Sequence, residues 1–226
     1  MAITINGTSN TITGLAAGGL PDNTIDNGSM ADDAIGVAEL SATGTASSST
    51  YLRGDNSWAA VPAGGITEYD RWRLTTSFTG DATPIASNLS RVTNQNYNVS
   101  FPLGTGMTES SGIFTFPSTG WWLVSCGFLV KTSNSNSSAT SYNIMYLQST
   151  DDNGSNWATP TEGFANWHSG EYNQYSSGYC TQTFDITDLS NDKVRFSFDT
   201  SNATYGELRG SNNDQTWFEF MKLADT

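Results

Sequence analysis

The stretch Gly120-Trp-Trp-Leu-Val-Ser-Cys-Gly-Phe-Leu-Val130 decides the fold, because it is nearly continuous in apolar residues. A run of this kind is typical of a central strand whose two faces are both covered. A second strand signal lies at Lys193-Val-Arg-Phe-Ser-Phe198, where polar and apolar residues alternate strictly. Successive side chains of a strand point to opposite faces, so Val194, Phe196 and Phe198 are predicted to face inward.

From Trp72 onward the sequence consists of short alternating runs separated by turn residues. This pattern predicts an all-β fold, an antiparallel sandwich or barrel, without a helix. The segment Gly112-Ile-Phe-Thr-Phe-Pro117 is predicted to pair as a hairpin with the strand from Gly120, and Asn153-Gly154 suits the positive φ values of a second hairpin tip. The predicted strands are 73–79, 90–93, 96–101, 112–116, 120–130, 141–149, 162–168, 178–186, 192–199 and 215–223.

Composition excludes several classes of protein. Only 14% of the 226 residues are charged, and acidic residues outnumber basic ones by 22 to 9, for a net charge of -13. This balance argues against a nucleic-acid partner, because phosphate binding needs clustered Lys and Arg. No apolar stretch reaches the roughly 18 residues of a membrane span, and the N-terminus lacks the features of a signal peptide. Cys126 and Cys180 allow one bridge, although two buried thiols are the favoured interpretation.

Aromatic residues divide the chain into regions. Up to Ala60 the only ones are Tyr51 and Trp58, whereas the other 25 of the 27 lie beyond it. Since large side chains supply most of the burial energy of a core, we predict three regions. An extended attachment segment covers 1–45, a linker with a local anchor covers 46–68, and a compact head covers 69–226. The linker anchor consists of Tyr51, Leu52 and Trp58.

The first region carries an apolar residue at every fifth position. This spacing fits neither a helix nor a strand, and an isolated row of apolar side chains cannot offset the entropy of ordering the backbone. A disordered tail is one interpretation. The regularity favours the other, in which parallel copies bury the rows against one another in a fibre. The row consists of Leu15, Leu20, Ile25, Met30, Ile35 and Leu40.

The sequence offers little for catalysis. Its one histidine, His168, has no nucleophile–acid context of the Ser-His-Asp kind, and neither a phosphate-binding glycine loop nor a metal-ligand motif is present. Paired carboxylates could still hydrolyse a glycoside, but none of the acidic residues lies in a recognisable catalytic motif. A calcium loop at Asp151 and Asp152 is an alternative to a plain hairpin tip, although the rest of that loop offers too few carboxylate or carbonyl oxygens. We therefore expect a protein that is not an enzyme and has no cofactor.

In the second half of the predicted head, aromatic residues are interspersed with Asn, Ser, Gly and Gln. Such side chains can stack on sugars or form protein contacts, although they could equally fill the core and a subunit interface. The candidate receptor contacts are Trp157, Trp167, Tyr172 and Tyr175.

Two resemblances extend this reading. The opening ITINGTSNTITGLAAGGLPDNTIDNGSMADDAI and the connector TGTASSSTYLRGDNSWAAV resemble the attachment and linker segments of tailed-bacteriophage tail fibres and other virion proteins. Residues from about 72 to 223 resemble the trimeric jelly roll of tumour-necrosis-factor ligands and complement globular heads, through Gly112, Phe114 and Pro117 with Gly120 and Trp122. The closing strand Thr216-Trp-Phe-Glu-Phe-Met-Lys-Leu223 is similar to that family's last strand but departs from its glycine-aromatic-leucine pattern. The head core predicted from these patterns is Phe114, Trp122, Phe196, Phe198 and Phe220.

The resemblances imply a homotrimer and a place in the virion. One interpretation is a short trimeric tail fibre, attached by its N-terminus to other virion proteins, whose head binds a host-surface glycan or protein. The alternative is a capsid fibre or decoration protein projecting from the shell. A glycan-cleaving spike is disfavoured by the missing catalytic constellation. Neither nucleic acid nor membrane insertion is expected.

Overall fold

The structure, a computed structural model, describes residues 4–6, 8, 11–13, 40–61, 64–94, 99–132, 142–166 and 174–226. The chain divides into two compact units, Met1–Ala63 and Gly64–Thr226, and we refer to the second as the head. The described residues form strands and turns without a helix. None of these residues belongs to a helix long and apolar enough to cross a membrane.

Eighteen strands occur among the described residues. They are β1 (Thr4–Asn6), β2 (Thr11–Thr13), β3 (Thr50–Leu52), β4 (Trp58–Ala60), β5 (Tyr69–Leu74), β6 (Phe78–Thr79), β7 (Leu89–Arg91), β8 (Thr93–Asn94), β9 (Val99–Ser100), β10 (Thr108–Ser110), β11 (Ile113–Thr115), β12 (Gly120–Thr132), β13 (Asn143–Thr150), β14 (Ala158–Phe164), β15 (Tyr175–Ile186), β16 (Lys193–Thr200), β17 (Gly206–Leu208) and β18 (Trp217–Ala224).

The first unit contains two small hairpins, β1 with β2 and β3 with β4. In the second hairpin Leu52 lies opposite Trp58, and Tyr51 and Leu52 are exposed while Trp58 is half-buried. The predicted linker is thus locally ordered around its anchor residues. Of the five-residue row only Leu40 is described, and it is exposed; Leu15, Leu20, Ile25, Met30 and Ile35 lie outside the described residues.

The head is an antiparallel sandwich of two main sheets. One sheet has the order β10-β11-β16-β13-β14, and the other has the order β6-β17-β12-β18-β5-β7, with β15 on the far side of β12. The ladders within both sheets are antiparallel. The predicted all-β class and antiparallel jelly-roll sandwich are confirmed. The homotrimer stays a prediction.

Aromatic rings fill the space between the sheets. The centroids of Phe196 and Phe218 are 4.4 Å apart, and those of Phe114 and Phe220 are 4.9 Å apart. These rings come from the middle strands of both sheets, which is why packing them joins the layers. The residues that the sequence assigned to the head core, namely Phe114, Trp122, Phe196, Phe198 and Phe220, are all at most 1% exposed.

Two glycines bring the sheet edges together at β14 and β15. A Cβ atom at Gly163 would lie 2.6 Å from the carbonyl oxygen of Tyr179, and one at Gly178 would lie 2.8 Å from that of Phe164. The Phe128 ring occupies the space beside Gly178 and would overlap a Cβ atom there. This close approach closes one side of the sandwich, because a larger residue at either position would push the sheets apart.

A single buried carboxylate organises one end of the second sheet. Asp70 is 1% exposed, yet its oxygens accept hydrogen bonds from the Met107 amide at 2.8 Å and the Trp72 indole at 2.9 Å. The Arg91 guanidinium donates two more, from Nε and Nη2, each at 3.0 Å. Burying a charge is tolerated only when it is paired and hydrogen-bonded, and here both conditions are met. Asp70 therefore ties β5 to β7 and to the segment before β10.

Several strand predictions need correction. The segment 112–117 does not pair with the strand from Gly120: β11 belongs to the five-stranded sheet and β12 to the other, so residues between them cross the sandwich. The real hairpin lies upstream, where Ser111 and Gly112 have φ of 52° and 81° and join β10 to β11. Both positive φ values give the turn that a two-residue hairpin favours. At Asn153-Gly154 the predicted positive φ values are confirmed.

Two strand boundaries differ for identifiable reasons. The predicted strand 73–79 begins instead at Tyr69, because the inward-facing Asp70 interrupts the expected apolar alternation. The predicted strand 162–168 begins at Ala158 and ends at Phe164. Its early part contains Pro160, which normally argues against a strand but is tolerated here because β14 is an edge strand.

The two cysteines are free thiols. Cys126 and Cys180 lie directly opposite each other on β12 and β15, and both are buried. Burial raises the pKa of the Cys126 thiol well above its usual value, and the neighbouring Cys180 adds to that rise. The favoured interpretation of two buried thiols is confirmed.

We expect Trp122→Ala to lower the free energy of unfolding of the head by about 3–5 kcal/mol, as large-to-small changes of buried aromatic residues do. Trp122 is 1% exposed, and its indole N–H donates to the Ser118 carbonyl oxygen at 3.1 Å. Denaturant unfolding at a fixed protein concentration measures the loss. Tyr142→Ala removes an exposed aromatic residue and should change the free energy by about 0.5 kcal/mol or less. Equal losses in the two variants would contradict the position of Trp122 in the core.

Candidate functional site

The outer face of β12 is partly open to solvent in the single chain. The strand is central, with β15 on one side and β18 and β17 on the other, as the sequence predicts. Its inner side chains are buried, but Trp121 is 44% exposed, and Leu123 and Leu129 are half-buried. In one copy the outer face is covered at Ser125 and Gly127, which are buried, and the prediction that both faces are covered is wrong at Trp121, Leu123 and Leu129. Covering the second face would need a third layer, and the described residues of the head form only two main sheets.

Neighbouring strands extend this opening into an apolar surface. Trp217 on β18 and Tyr179 on β15 both lie opposite Gly127, with ring centroids 6.1 Å apart. A Cβ atom at Gly127 would come within 2.6 Å of the Trp217 ring, so glycine is needed there for the indole to lie across β12. Leu123 lies opposite the half-buried Met221. We name this surface the Trp217 face; its apolar and aromatic members are Trp121, Leu123, Leu129, Tyr179, Trp217 and Met221.

The charges beside the Trp217 face are paired within the chain. Arg71 Nε lies 3.4 Å from Asp214 Oδ2, and Arg71 Nη1 lies 3.6 Å from Glu219 Oε1. Asp214 also pairs with Arg73 at 3.1 Å, and the Tyr69 hydroxyl donates to Glu219. Partial burial raises the pKa of the Glu219 carboxyl above its usual value. The Arg71 guanidinium carbon is 4.5 Å from the centroid of the Trp217 ring, which connects this network to the apolar surface.

The candidate receptor contacts do not form one cluster. Trp157, just before β14, is half-buried and borders a cleft that also contacts Ile186, the last residue of β15. Tyr175 is the first residue of β15, is 56% exposed, and has Lys131 Nζ 5.9 Å from its ring centroid. The two residues thus lie at opposite ends of β15. Trp167 and Tyr172 lie outside the described residues, as does His168.

The β13–β14 hairpin tip is held by side-chain hydrogen bonds. Asp152 accepts from the Thr150 hydroxyl at 2.6 Å, from the Asn156 amide N–H at 2.9 Å and from the Asn156 side chain at 2.6 Å. These bonds lower the pKa of Asp152 from 3.8 to about 2. The structure does not support the alternative of a calcium loop, because the Asp152 carboxylate oxygens already accept hydrogen bonds from other residues of the tip. The part of the chain that the structure describes contains no group of three or more side chains able to hold a metal ion.

Sequence reasoning missed the Trp217 face as a surface. Trp217, Glu219 and Met221 alternate with the buried Phe218 and Phe220, and the sequence could have shown this period of two. It could not show that Tyr179 and Trp217 meet over Gly127, because that contact depends on the order of three strands.

Comparisons with known proteins identify the fold. No family model matches the sequence, and no curated protein matches it. Among solved structures the chain is similar to Eiger TNF from S. frugiperda, with a TM-score of 0.52 and 13% identity over 72% of this chain and 96% of that chain. The head has a TNF-like jelly-roll fold. Murine APRIL at pH 5.0 is also similar, with a TM-score of 0.48 and 14% identity over 69% of this chain and 98% of that chain.

The low pKa of Asp152 predicts a pH-dependent contribution to stability. Because the folded state depresses this pKa, the stabilising contacts of the ionised carboxylate are complete above pH 3.8 and are lost as the pH falls towards 2. We expect Asp152→Asn to lower the Tm at pH 5, and the difference from the wild type to shrink as the pH falls towards about 2.

Thermal unfolding monitored by circular dichroism over that range measures the difference. Asp151→Asn is the matched control, because Asp151 has no hydrogen-bond or ion-pair partner among the described residues. This variant should unfold close to the wild-type temperature. A Tm difference for Asp152→Asn that stays constant with pH would show that its carboxylate does not hold the hairpin tip.

Proposed function

We propose that this protein is a homotrimeric structural protein of a tailed-bacteriophage virion. In this proposal it is a short tail fibre whose N-terminal segment attaches to other virion proteins and whose head binds the host surface. It acts by binding and is not an enzyme. The TNF-like fold of the head and the resemblance of residues 1–60 to phage fibre segments support this assignment.

The observation that carries the trimer is the Trp217 face. Trp121 exposes 44% of its surface, and Leu123, Leu129, Trp217 and Met221 are only half-buried. Contiguous apolar surface of this kind is typical of interaction sites, and the apolar pattern of β12 is that of a strand covered on both sides. The occupant that satisfies this pattern is another copy of the chain, arranged about a closed symmetry axis.

The charge arrangement supports self-association at this surface. Isolated charges cost more to bury than paired charges. Arg71, Arg73, Asp214 and Glu219 already neutralise one another within each chain. A neighbouring copy would therefore cover a paired network and need not supply a counter-ion for each group.

We expect the protein to sediment as a trimer, and Met221→Arg to shift it towards the monomer. Met221 is half-buried in the single chain, so the isolated head can accommodate the change by pointing the longer side chain into water. An interface would have to bury the new, unpaired charge. Sedimentation equilibrium at micromolar concentration measures the mass.

The matched control is Ile144→Arg, a half-buried aliphatic residue on the outer face of the five-stranded sheet. This variant should remain trimeric and keep the wild-type circular dichroism spectrum. A monomeric wild type would reject the trimer. A trimer that survives Met221→Arg would place its interface elsewhere than on the Trp217 face.

The attachment role rests on the N-terminal segment. Residues 1–60 contain two aromatic residues, so the segment gains buried area mainly by self-association or docking. Asp22, Asp26, Asp32 and Asp33 give it a negative charge. Its partner in the virion should then present Lys or Arg, and attachment should weaken as salt shortens the Debye length below about 8 Å.

We expect residues 1–40 fused to a foreign trimeric protein to be incorporated into virions, whereas particles carrying a chain without the head should adsorb poorly to host cells. Incorporation is measured with labelled antibody on purified particles, and adsorption is measured by counting unbound particles. Fusion of the same cargo to residues 41–60 is the control for incorporation.

The outcomes separate the two virion assignments. Normal adsorption of headless particles would reject the tail fibre and favour the capsid fibre or decoration protein. Failure of residues 1–40 to recruit cargo would reject attachment through this segment in either assignment.

A further inference from the structure

A cleft of about 370 Å³ opens at one end of the head. Its walls come from the end of β13, the start of β14, the end of β15 and the start of β16. This volume lies near the lower limit of the roughly 300–1,000 Å³ that is usual for small-molecule sites. None of the six apolar members of the Trp217 face lines it.

An aromatic ring at the cleft is held in a fixed orientation. The Trp157 indole N–H donates to the Gly154 carbonyl oxygen at 3.1 Å, and the Arg195 guanidinium carbon lies 4.1 Å from the ring centroid. Arg195 is itself held by Gln148, whose side-chain oxygen accepts from Arg195 Nε at 2.8 Å. The ring is therefore positioned before any ligand arrives, which reduces the entropy lost on binding. Phe184, which is partly buried, adds a second aromatic surface to the cleft.

One carboxylate at the cleft remains available for a ligand. Asp192 Oδ2 accepts hydrogen bonds from the backbone N–H groups of Thr187 and Asp188, each at 2.8 Å. By contrast, the carboxylates of Asp151 and Asp185 have no hydrogen-bond or ion-pair partner among the described residues, and both residues line the cleft. Asp185 follows Phe184 along β15, so its side chain points to the opposite face of the strand, where Trp121 is its cross-strand neighbour. Asp151 is therefore the carboxylate that a ligand stacked in the cleft can reach. Exposed carboxylates beside an aromatic ring can accept hydrogen bonds from ligand hydroxyl groups.

The charge of the cleft narrows the class of ligand. Its three carboxylates, those of Asp151, Asp185 and Asp192, outnumber two cations. These are Lys193, whose Nζ already donates to the Ser190 carbonyl oxygen at 2.8 Å, and Arg195, whose guanidinium lies over the Trp157 ring. An anionic ligand would be repelled, whereas a neutral ligand with apolar C–H faces and several hydroxyl groups fits both the ring and the Asp151 carboxylate. Neutral pyranose sugars have this combination.

We propose that this cleft binds one or two rings of a neutral saccharide, stacked on Trp157 and hydrogen-bonded by Asp151. This inference rests on the proposed function, in which the head binds the host surface. It gives that role a location and a ligand class that exclude sialic and uronic acids.

The test measures binding of single sugars to the full-length protein by saturation-transfer difference NMR and isothermal titration calorimetry. The probes are glucose, galactose, mannose, N-acetylglucosamine and N-acetylgalactosamine, with glucuronic acid and N-acetylneuraminic acid as acidic counterparts. We expect at least one neutral sugar to bind, and the acidic sugars to bind more weakly. Trp157→Ala should weaken the neutral sugar by about tenfold or more, as loss of a central aromatic contact does.

Further variants separate binding from folding. Trp157→Phe keeps an aromatic ring and should retain part of the affinity, and Asp151→Asn should weaken binding without changing the Tm. Tyr142→Ala removes an exposed aromatic residue next to the opposite end of β13 and should bind like the wild type. Absence of binding to every neutral probe, unchanged affinity in Trp157→Ala, or preference for an acidic sugar would each overturn the inference.

Failure of this inference is distinguishable from failure of the proposed function. Sedimentation and virion incorporation are read independently of sugar binding. A trimeric, virion-bound protein that binds no neutral sugar would reject the cleft alone. A protein that binds the sugar but is absent from virions would reject the virion role and leave the cleft in place.

Discussion

The constraint on which the rest of the head depends is that β12 is apolar on both of its faces. Its inner side chains, including Trp122, pack among rings from the opposite sheet. On its outer face Trp121 is exposed and Leu123 and Leu129 are only half-buried in the single chain. A two-layer sandwich can cover a central strand only once, because each strand alternates its side chains between the two faces. The uncovered face therefore connects the fold of one chain to its proposed assembly.

The polar groups of the head are arranged consistently with that constraint. Where charge is buried, as at Asp70, it is met by a guanidinium and by N–H donors from three other residues. Beside the Trp217 face the charged groups are paired with one another, so the surface is ready to be covered without isolated charges. At the end cleft, Asp151 is unpaired among the described residues. Surfaces with paired charges suit burial against protein, and unpaired polar groups suit a small ligand.

This division gives the proposed fibre two separate working surfaces on the head. The face over β12 would hold the three copies together, and the cleft by Trp157 would contact sugar. The six apolar residues of the first surface are absent from the lining of the second, but Trp121 lies directly opposite Asp185, so the two surfaces meet there. Met221 and Trp157 lie away from that border and allow each surface to be disabled by substitution on its own. Rigid strands support both surfaces, which favours precise placement of their side chains.

The sequence alone determined the all-β class, the central position of β12, the inward set of β16 and the positive φ at the Asn153-Gly154 tip, because alternation and turn chemistry are local properties. It could not determine that β11 and β12 belong to different sheets, since a short connection can either fold back or cross the sandwich. Nor could it reveal that Trp157 and Ile186 border one cleft while Tyr175 lies at the other end of the same strand. Those relations depend on which strands become neighbours, and strand order is settled by packing between residues far apart in the chain. The tertiary structure decided them through the rings of Phe114, Phe196 and Phe218 and the close glycine contacts at Gly163 and Gly178.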